Sequence, residues 1–297
     1  MNFSMSNLLP PGTIIETKTG GNSTVHKYLL NSGEEFAVKI YGDHVSKQDK
    51  LREAWVYQNW IDKGQICNFI SISADRKMLV TEWYKDRTNR SNTLKMEAIL
   101  SFIESGIALH KRIGEHCFFY AKDMIRGLSD LVEQIYSRLS LLENQVDPRF
   151  ELAHLMKSIH ELSVEFLVHG RDIEIPSIGL LPSQSDIGFH NVLIGPNEFK
   201  IIDFEYFGLD NPYKLVGDFL LHPKNSIDVA LMDTFMDYSK TTLKIQERAL
   251  KSLIPFLALV AGLCFNFIFN MPGMTNSPGP CFFMCAVIMC CKHSIVC

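Results

Sequence analysis

The periodicity of the apolar residues changes near residue 85, and this change constrains the fold more than any other feature of the chain. Up to that point, short segments alternate between apolar and polar residues and are separated by turn-forming residues at 20–23 and 31–33, a pattern typical of β-hairpins. Beyond it, apolar residues recur at helical spacing over longer stretches. The sequence therefore predicts an α+β fold with a small β-rich N-lobe over residues 1–84 and a larger helical C-lobe over residues 85–270.

The two lobes are predicted to contain different elements. In the N-lobe we expect one helix over residues 46–61 and strands over residues 13–19, 24–30, 35–41, 69–72 and 78–83. In the C-lobe we expect two short strands over residues 192–194 and 200–204, and helices over residues 95–110, 125–142, 150–169 and from Pro212 onward. The last segment, residues 271–297, is apolar and rich in cysteine, and the sequence assigns it no structure.

The bulk composition narrows the class of protein. The chain has 297 residues, of which 46% are hydrophobic and 21% charged, as in ordinary globular proteins. The net charge of −4 and the lack of a basic run argue against nucleic acid as a partner. The N-terminus has no charged segment followed by an apolar one, so we expect no signal peptide. The eight cysteines include no C-x-x-C pair, which favours reduced thiols in a cytoplasmic protein.

One apolar segment, residues 253–269, has two interpretations. It is nearly long enough to span a bilayer, but it contains Pro255, Gly262 and Asn266, and no basic cluster follows it. We favour a buried helix of the C-lobe, with a membrane segment as the alternative.

Three residues with oxygen-bearing side chains stand out in the C-lobe. Asp186 and Asn191 lie five residues apart in S-D-I-G-F-H-N, and Asp203 follows in I-D-F-E-Y. Carboxylate and amide oxygens suit magnesium, and a carboxylate can also orient a hydroxyl for attack on a phosphate. Each residue alone could instead cap a loop. Together they favour a site for phosphoryl transfer, in which Asp186 accepts a hydrogen bond from the substrate hydroxyl while Asn191 and Asp203 bind the metal.

Two features of the N-lobe could complete such a site. Lys39 lies within the apolar strand F-A-V-K-I-Y, where it either faces solvent or reaches the phosphates of a nucleotide. In the second case Glu53, on the next predicted helix, is the carboxylate that orients it. The G-G-N-S turn at residues 20–23 could bring backbone amides and a hydroxyl to phosphate oxygens, although an ordinary hairpin could have the same residues.

The chain resembles the aminoglycoside phosphotransferase and choline kinase group, a branch of the protein-kinase-like fold, over residues 12–270. The resemblance rests on V-K-I at 38–40, R-E at 52–53, L-V-T-E-W-Y at 79–84, S-D-I-G-F-H-N at 185–191 and I-D-F-E-Y at 202–206. It implies a bilobal protein-kinase-like fold that uses ATP and Mg²⁺ to transfer the γ-phosphate to a hydroxyl of a small molecule.

The resemblance also implies a role for individual residues. Asp186 would be the catalytic Asp, Asn191 and Asp203 the magnesium ligands, and Glu205 a supporting acid. In the N-lobe, Lys39 would bind phosphate with Glu53 as its partner, and the hinge residues Glu82, Trp83 and Tyr84 would receive the adenine on their backbone. The residues of the turn, Gly20, Gly21, Asn22 and Ser23, are candidates for nucleotide binding from the sequence itself, independently of the resemblance.

Two positions depart from the family pattern. Gln184 stands where the family commonly has a His two residues before the catalytic Asp. Lys214 replaces an Asp that usually follows the turn, although Asp218 comes one helical turn later. These departures leave a second interpretation open, namely a catalytically impaired, nucleotide-binding pseudokinase with a regulatory role.

The acceptor is the least constrained part of the prediction. A cationic aminoglycoside would need an acidic pocket, and a quaternary ammonium would prefer an aromatic cage, but all three Trp residues (Trp55, Trp60 and Trp83) lie in the N-lobe. By elimination we expect a sugar, an amino sugar or an amino alcohol. The acidic residues available in the C-lobe are Glu133, Glu143, Asp147, Glu151, Asp172 and Glu174.

Overall fold

A computed structural model of the chain describes residues 8–87, 91–143, 178–196, 198–225 and 227–269, together with the single residues 157, 161 and 164. The chain forms two compact units, of which the first comprises Met1–Lys122 and Leu181–Leu209, and the second Asp123–Leu180 and Asp210–Cys297. All the nucleotide, metal and catalytic residues predicted from the sequence belong to the first unit. The lobe boundary at residue 84 stays a prediction.

A five-stranded antiparallel sheet forms the N-terminal part of the first unit, with the strand order β1-β2-β3-β5-β4. The five predicted strands are confirmed, each to within one residue at either end. The strands are β1 (Gly12–Thr19), β2 (Ser23–Leu30), β3 (Glu35–Tyr41), β4 (Phe69–Ile72) and β5 (Met78–Glu82).

Alternation along β3 decides which of its residues enter the core of the sheet. Val38 is 1% exposed and belongs to that core. Lys39 and Tyr41 lie on the opposite face, because successive side chains of a strand point to opposite sides. The antiparallel register places Lys39 beside Leu79 of β5.

The helix α1 (Lys47–Asn59) follows β3 and confirms the helix predicted over residues 46–61 to within two residues. Ser46 caps its N-terminus, since its side chain accepts a hydrogen bond from the backbone N–H of Asp49 at 3.1 Å. This bond satisfies one of the donors that the first helical turn leaves free. The buried face of α1 presents Glu53, which is 1% exposed.

The first unit continues with the long helix α2 (Asn92–Ile113). The helix ends at Gly114, whose φ of 80° is a conformation that favours glycine. Gly106 allows a close approach to neighbouring residues, because an added Cβ would lie 3.3 Å from Pro182 and from Trp60.

Four short strands of the chain position the polar motifs. They pair as β6 (Leu181–Ser183) with β9 (Gly208–Asp210), and β7 (Val192–Ile194) with β8 (Phe199–Ile201). The strand predicted over residues 200–204 is wrong at its end, since β8 stops at Ile201. Asp203 has a φ of 67°, a left-handed conformation that cannot continue a strand.

The described part of the second unit is mainly helical. Two predictions are confirmed here, since the helix expected over residues 125–142 corresponds to α3, and the helical region expected from Pro212 onward corresponds to the three later helices. The helix predicted over residues 150–169 lies outside the described residues apart from three single positions, and the tail 271–297 lies outside them entirely. The helices are α3 (Leu128–Glu143), α4 (Pro212–Leu220), α5 (Val229–Thr241) and α6 (Glu247–Phe269).

Helix α6 contains the apolar segment that had two interpretations. It packs against α3 and α4, and the side chains of Leu253, Phe256 and Leu259 are at most 1% exposed. Arg138 of α3 donates a hydrogen bond to the carbonyl of Val260 at 2.8 Å. These contacts favour the buried helix. Among the described residues, no helix combines the length and the apolar character of a membrane span.

Candidate active site

An ion pair between the sheet and α1 forms the base of the site. Lys39 Nζ donates to Glu53 Oε2 at 2.8 Å and to Oε1 at 3.1 Å. The Lys39 side chain is 11% exposed, so it does not face solvent. The sequence of the strand alone could not decide this, because the polar face of an alternating strand can face either solvent or a binding site.

A second donor holds the same carboxylate. Tyr41, two residues after Lys39 and therefore on the same face of β3, donates from its hydroxyl to Glu53 Oε2 at 2.7 Å. Burial raises the pKa of Glu53, although the nearby Lys39 ammonium acts in the opposite direction. Burial and the charge of Glu53 raise the pKa of Tyr41 well above its ordinary value, so the phenol remains a hydrogen-bond donor.

Asp203 reaches the same ammonium from a distant part of the sequence. Its Oδ1 lies 2.6 Å from Lys39 Nζ, and the left-handed backbone at this residue turns the chain away from the line of β8. Glu205 lies deeper, 4% exposed, with its Oε2 3.6 Å from Lys39 Nζ.

The three carboxylates around Lys39 form an oxygen cluster. One oxygen from each of Glu53, Asp203 and Glu205 lies within 4.8 Å of the others. Burial alone would lower the pKa of Lys39, but the three carboxylates outweigh it and raise that pKa. Burial also raises the pKa of Glu205. With all groups ionised, three negative charges face one positive charge, an excess that a divalent cation would neutralise.

The loop with the first polar motif is built around Asp186. Asn191 Nδ2 donates to the carbonyl of Asp186 at 2.9 Å and to its Oδ2 at 3.2 Å, while His190 Nε2 lies 3.4 Å from the same Oδ2. Lys95 of α2 supports the loop by donating to the carbonyl of Phe189 at 2.9 Å. The amide nitrogen of Asn191 thus acts within the loop, and its amide oxygen is the atom suited to a cation.

Hydrogen bonds join this loop to the segment that contains Asp203. Gln184 Nε2 donates to the carbonyl of Ile202 at 2.6 Å and to that of Asp203 at 3.1 Å, and Gln184 is 2% exposed. The backbone N–H of Ile202 donates to the carbonyl of Asn191 at 3.0 Å. The two motifs, separated in sequence, are therefore fixed to each other through backbone groups.

The turn at residues 20–23 joins β1 to β2 and also contacts the oxygen cluster. It is closed by the Gly20 N–H, which donates to the carbonyl of Ser23 at 2.8 Å. Asn22 Nδ2 lies 2.5 Å from Glu205 Oε1 and 2.5 Å from the Tyr206 hydroxyl. An added Cβ on Gly21 would meet no atom of the described residues within 4 Å, so the space above the turn is open.

Two of the three predicted hinge amides already donate hydrogen bonds to backbone carbonyls at the edge of neighbouring strands. The Glu82 N–H donates to the carbonyl of Asn68 at 3.0 Å, and the Trp83 N–H donates to the carbonyl of Glu35 at 3.2 Å. The Tyr84 hydroxyl donates to the carbonyl of Glu198 at 3.0 Å. Of the hinge amides, that of Tyr84 is the one we consider for a nucleotide base.

Comparison with known proteins connects this geometry to a fold. No protein-family model matches the chain, and no curated protein matches it in sequence. Among solved structures, choline kinase from Cryptosporidium parvum Iowa II is similar with a TM-score of 0.65 at 13% identity, over 98% of this chain and 93% of that one. Choline kinase LicA from Streptococcus pneumoniae gives 0.64 at 15% identity, over 97% and 96%.

A third similar structure is a thermostable mutant of aminoglycoside phosphotransferase APH(4)-Ia in ternary complex with ADP and hygromycin B, with a TM-score of 0.62 at 11% identity, over 98% of this chain and 96% of that one. The chain has the fold of these kinases. The predicted α+β protein-kinase-like fold is thereby confirmed, as is, at the level of fold, the resemblance to choline kinases and aminoglycoside phosphotransferases.

Two departures from the family pattern have a structural account within this kinase fold. Gln184 makes hydrogen bonds that support the loop, as described above. Lys214 is buried, with Nζ 2.5 Å from Asp218 Oδ2 and 3.2 Å from Asp210 Oδ2. The Lys at this position therefore joins two acids of the second unit instead of leaving either of them unpaired.

Only some of the residues considered for the acceptor site lie within the described part of the chain. Glu133 is exposed on α3. Trp60 is 2% exposed and stacks on Phe102 with a centroid distance of 4.2 Å, so it belongs to the core. The ammonium of Lys27 lies over the ring of Trp83, 5.3 Å from the ring centroid. The other predicted acids lie outside the described side chains: Glu143, Asp147, Glu151, Asp172 and Glu174.

Sequence reasoning missed two contributors to the site. Tyr41 has a local signal, because the period of two along a strand places it beside Lys39. Tyr206 has none, because its contact with Asn22 joins positions 184 residues apart. The sequence assigned Asn22 to nucleotide binding, and in the structure its side chain points to Glu205 and Tyr206.

Proposed function

We propose that the chain is a small-molecule kinase that transfers the γ-phosphate of ATP to a hydroxyl of a sugar, an amino sugar or an amino alcohol. The observation that carries this proposal is the convergence at Lys39 Nζ, which contacts Glu53 of α1 and Asp203 beyond β8. Phosphoryl transfer needs the phosphates held, charge neutralised and the hydroxyl oriented. The cluster and the adjoining loop offer a group for each task.

ATP would be bound by the sheet side of the first unit. Lys39, oriented by Glu53, would bind phosphate oxygens. The open space at Gly21 would let the backbone of the turn approach them, which is a recurrent use of glycine. The backbone of Tyr84 would receive the adenine.

The chemistry of the donor set fits magnesium, which prefers hard oxygen ligands. Asn191 would offer its amide oxygen and Asp203 a carboxylate oxygen. Glu205 fits a supporting role, because its buried Oε2 has no hydrogen-bond partner among the described residues. Bound Mg²⁺ would supply charge neutralisation at the phosphates. Asp203 would thus serve the metal, and Lys39 the phosphates.

Asp186 would accept the hydrogen bond of the acceptor hydroxyl and take its proton during transfer. The bonds to its Oδ2 from Asn191 and His190 would fix the rotation of the carboxylate. General base catalysis of this kind contributes roughly 10²–10⁴-fold to a rate.

The acceptor is proposed only by class. The similar structures include choline kinases and a complex with hygromycin B, all of which concern small molecules. We propose a small hydroxyl-bearing acceptor for this chain as well, in a cytoplasmic protein with no nucleic-acid partner.

The test is a transfer assay on the full chain. Purified protein is incubated with γ-labelled ATP, magnesium and pools of sugars, amino sugars and amino alcohols, beside a D186N variant as the matched control. We expect label to appear in one pool, and we expect the rate of transfer to be at least about 100-fold lower in D186N. Equal transfer by both proteins would contradict the role of Asp186.

The pseudokinase interpretation predicts a different outcome of the same assay. Nucleotide would bind in the presence of magnesium, but no pool would accept label. Gln184 is the residue that motivates this alternative, although its hydrogen bonds keep the two motifs together. A Q184H variant that gained transfer would support it.

A further inference from the structure

We propose that Asn22 is a positioning residue that fastens the β1–β2 turn to Glu205 and Tyr206, and thereby fixes the turn at the nucleotide phosphates. This inference rests on the proposed nucleotide site. It assigns the Asn22 side chain to a contact within the protein, and leaves the approach to phosphate to the backbone of the turn.

The Asn22 side chain contacts two acceptors. Asn22 Nδ2 has two hydrogens, and it lies 2.5 Å from both Glu205 Oε1 and the Tyr206 hydroxyl. An amide group can donate to both at once. A bond to a carboxylate is stronger than one between neutral groups, so the pair to Glu205 is the main attachment.

The other groups of Asn22 tie the turn to the end of β3. The carbonyl of Asn22 accepts a hydrogen bond from the Gly42 N–H at 2.8 Å, and its Oδ1 lies 3.2 Å from His44 Nε2. Gly42 permits this approach, because an added Cβ would lie 2.7 Å from the His44 ring and 3.1 Å from the Asn22 carbonyl. Asn22 therefore bridges the sheet and the segment after Asp203.

This bridge holds two parts of the proposed nucleotide site in place, namely Glu205 and the β1–β2 turn. On one side it holds Glu205, whose second oxygen lies 3.6 Å from Lys39 Nζ. On the other it holds the turn whose Gly21 faces open space. Without Asn22 the turn keeps only its backbone bonds, and the Glu205 carboxylate keeps, among the described residues, only its contacts with Tyr206 and Lys39. Bound nucleotide should then dissociate faster, while the chemistry at Asp186 should change less.

The first experiment measures binding of AMP-PNP with magnesium to the full chain by calorimetry. For N22A we expect about a tenfold weaker affinity, as the loss of such a contact typically produces. The matched control is N31A, an Asn→Ala change in the exposed turn between β2 and β3, which should bind like wild type. Y206F removes one hydroxyl only and should weaken binding by less than N22A.

The second experiment exchanges donor and acceptor. N22D places a carboxylate against Glu205 and should bind AMP-PNP more weakly than N22A. In N22D/E205Q the new amide can donate to the new carboxylate, so affinity should recover above that of N22D. A merely structural role of the turn would produce no such recovery. If N22A proves unstable in thermal melting, Y206F and the exchanged pair decide the question.

In the transfer assay, N22A should raise the KM for ATP more than it lowers kcat. Equal affinities of N22A, Y206F and N31A, with wild type binding nucleotide, would overturn the inference and leave the proposed function standing. Failure of wild type itself to bind AMP-PNP would overturn the proposed function, and the inference with it.

Discussion

Two buried lysines, Lys39 of the first unit and Lys214 of the second, occupy ion clusters of similar composition. Their side chains are 11% and 6% exposed, and each contacts more than one carboxylate. At both, burial alone would lower the pKa of the lysine, and the surrounding carboxylates raise it instead. The composition of a cluster therefore does not distinguish a site from a structural support.

The difference lies in where the carboxylates come from and how open they are. Asp210 and Asp218 lie four residues on either side of Lys214, and their side chains are 0% and 22% exposed. The partners of Lys39 come from separate segments, and Asp203 is 38% exposed. A closed cluster formed by one stretch of the chain can stabilise a helix. In a cluster formed by separate segments, an accessible carboxylate can leave its protein partner and bind a ligand instead.

The largest effect is expected at the closed cluster. In K214M the buried Asp210 and the half-buried Asp218 lose their ammonium partner, so the free energy of unfolding should fall by about 3–5 kcal/mol at neutral pH. Urea denaturation would measure this loss. The control K240M removes an exposed ion pair with Glu247 and should change stability little. Similar losses in both variants would contradict a buried, structural role for Lys214.

The same substitution at the open cluster should act on function. In K39M the phosphates lose their cation, and phosphoryl transfer should fall by about 10²–10³-fold. K214M, measured per folded molecule, should keep the wild-type rate. Initial rates with labelled ATP, corrected for the folded fraction, would test this. A K214M rate as low as that of K39M would remove the distinction between the two lysines.

A third prediction concerns the pH dependence of the closed cluster. Burial raises the pKa of Asp218 from an ordinary 3.8 to about 6, although Lys214 acts to lower it. The folded protein therefore retains a proton that the unfolded chain releases. This contribution to stability is complete below pH 3.8 and is lost as the pH rises through 6.

D218N cannot titrate at this position and provides the comparison. The unfolding free energy of wild type should fall relative to that of D218N by about 2–3 kcal/mol between pH 4 and pH 7. Urea titrations of both proteins at the two pH values would measure the change. A difference that stays constant with pH would show that Asp218 does not titrate in this window.

The smallest effect is expected for Y41F. The substitution removes one donor of Glu53 Oε2 but leaves both bonds from Lys39. The free energy of unfolding should fall by about 1 kcal/mol, and transfer should decrease far less than in K39M. Thermal denaturation and the transfer assay would check this. A loss of transfer equal to that of K39M would assign Tyr41 a direct part in binding.

The strands of the N-terminal sheet could be predicted from the sequence because their signals are local. Alternation and turn residues placed all five strands, and the helix after β3 was recognised from its period. The strand expected to reach residue 204 was wrong because periodicity gives no warning of the left-handed backbone at Asp203.

Most residues of the candidate site were predicted from the sequence, together with one of their contacts. Sequence spacing suggested Asp186, Asn191 and Asp203, and the ion pair of Lys39 with Glu53 was expected and is present. The contact of Lys39 with Asp203 and the attachment of Asn22 to Glu205 involve residues more than 160 positions apart. No local pattern indicates such pairs.

The sequence by itself determined the kind of local structure and the chemical groups available, since strand alternation, helix capping and residue type depend on neighbours in the chain. Only the tertiary structure decided which of the two lysine clusters is open, and where the Asn22 side chain points. These outcomes depend on the packing of segments far apart in sequence, which fixes both the distance between charges and their access to solvent.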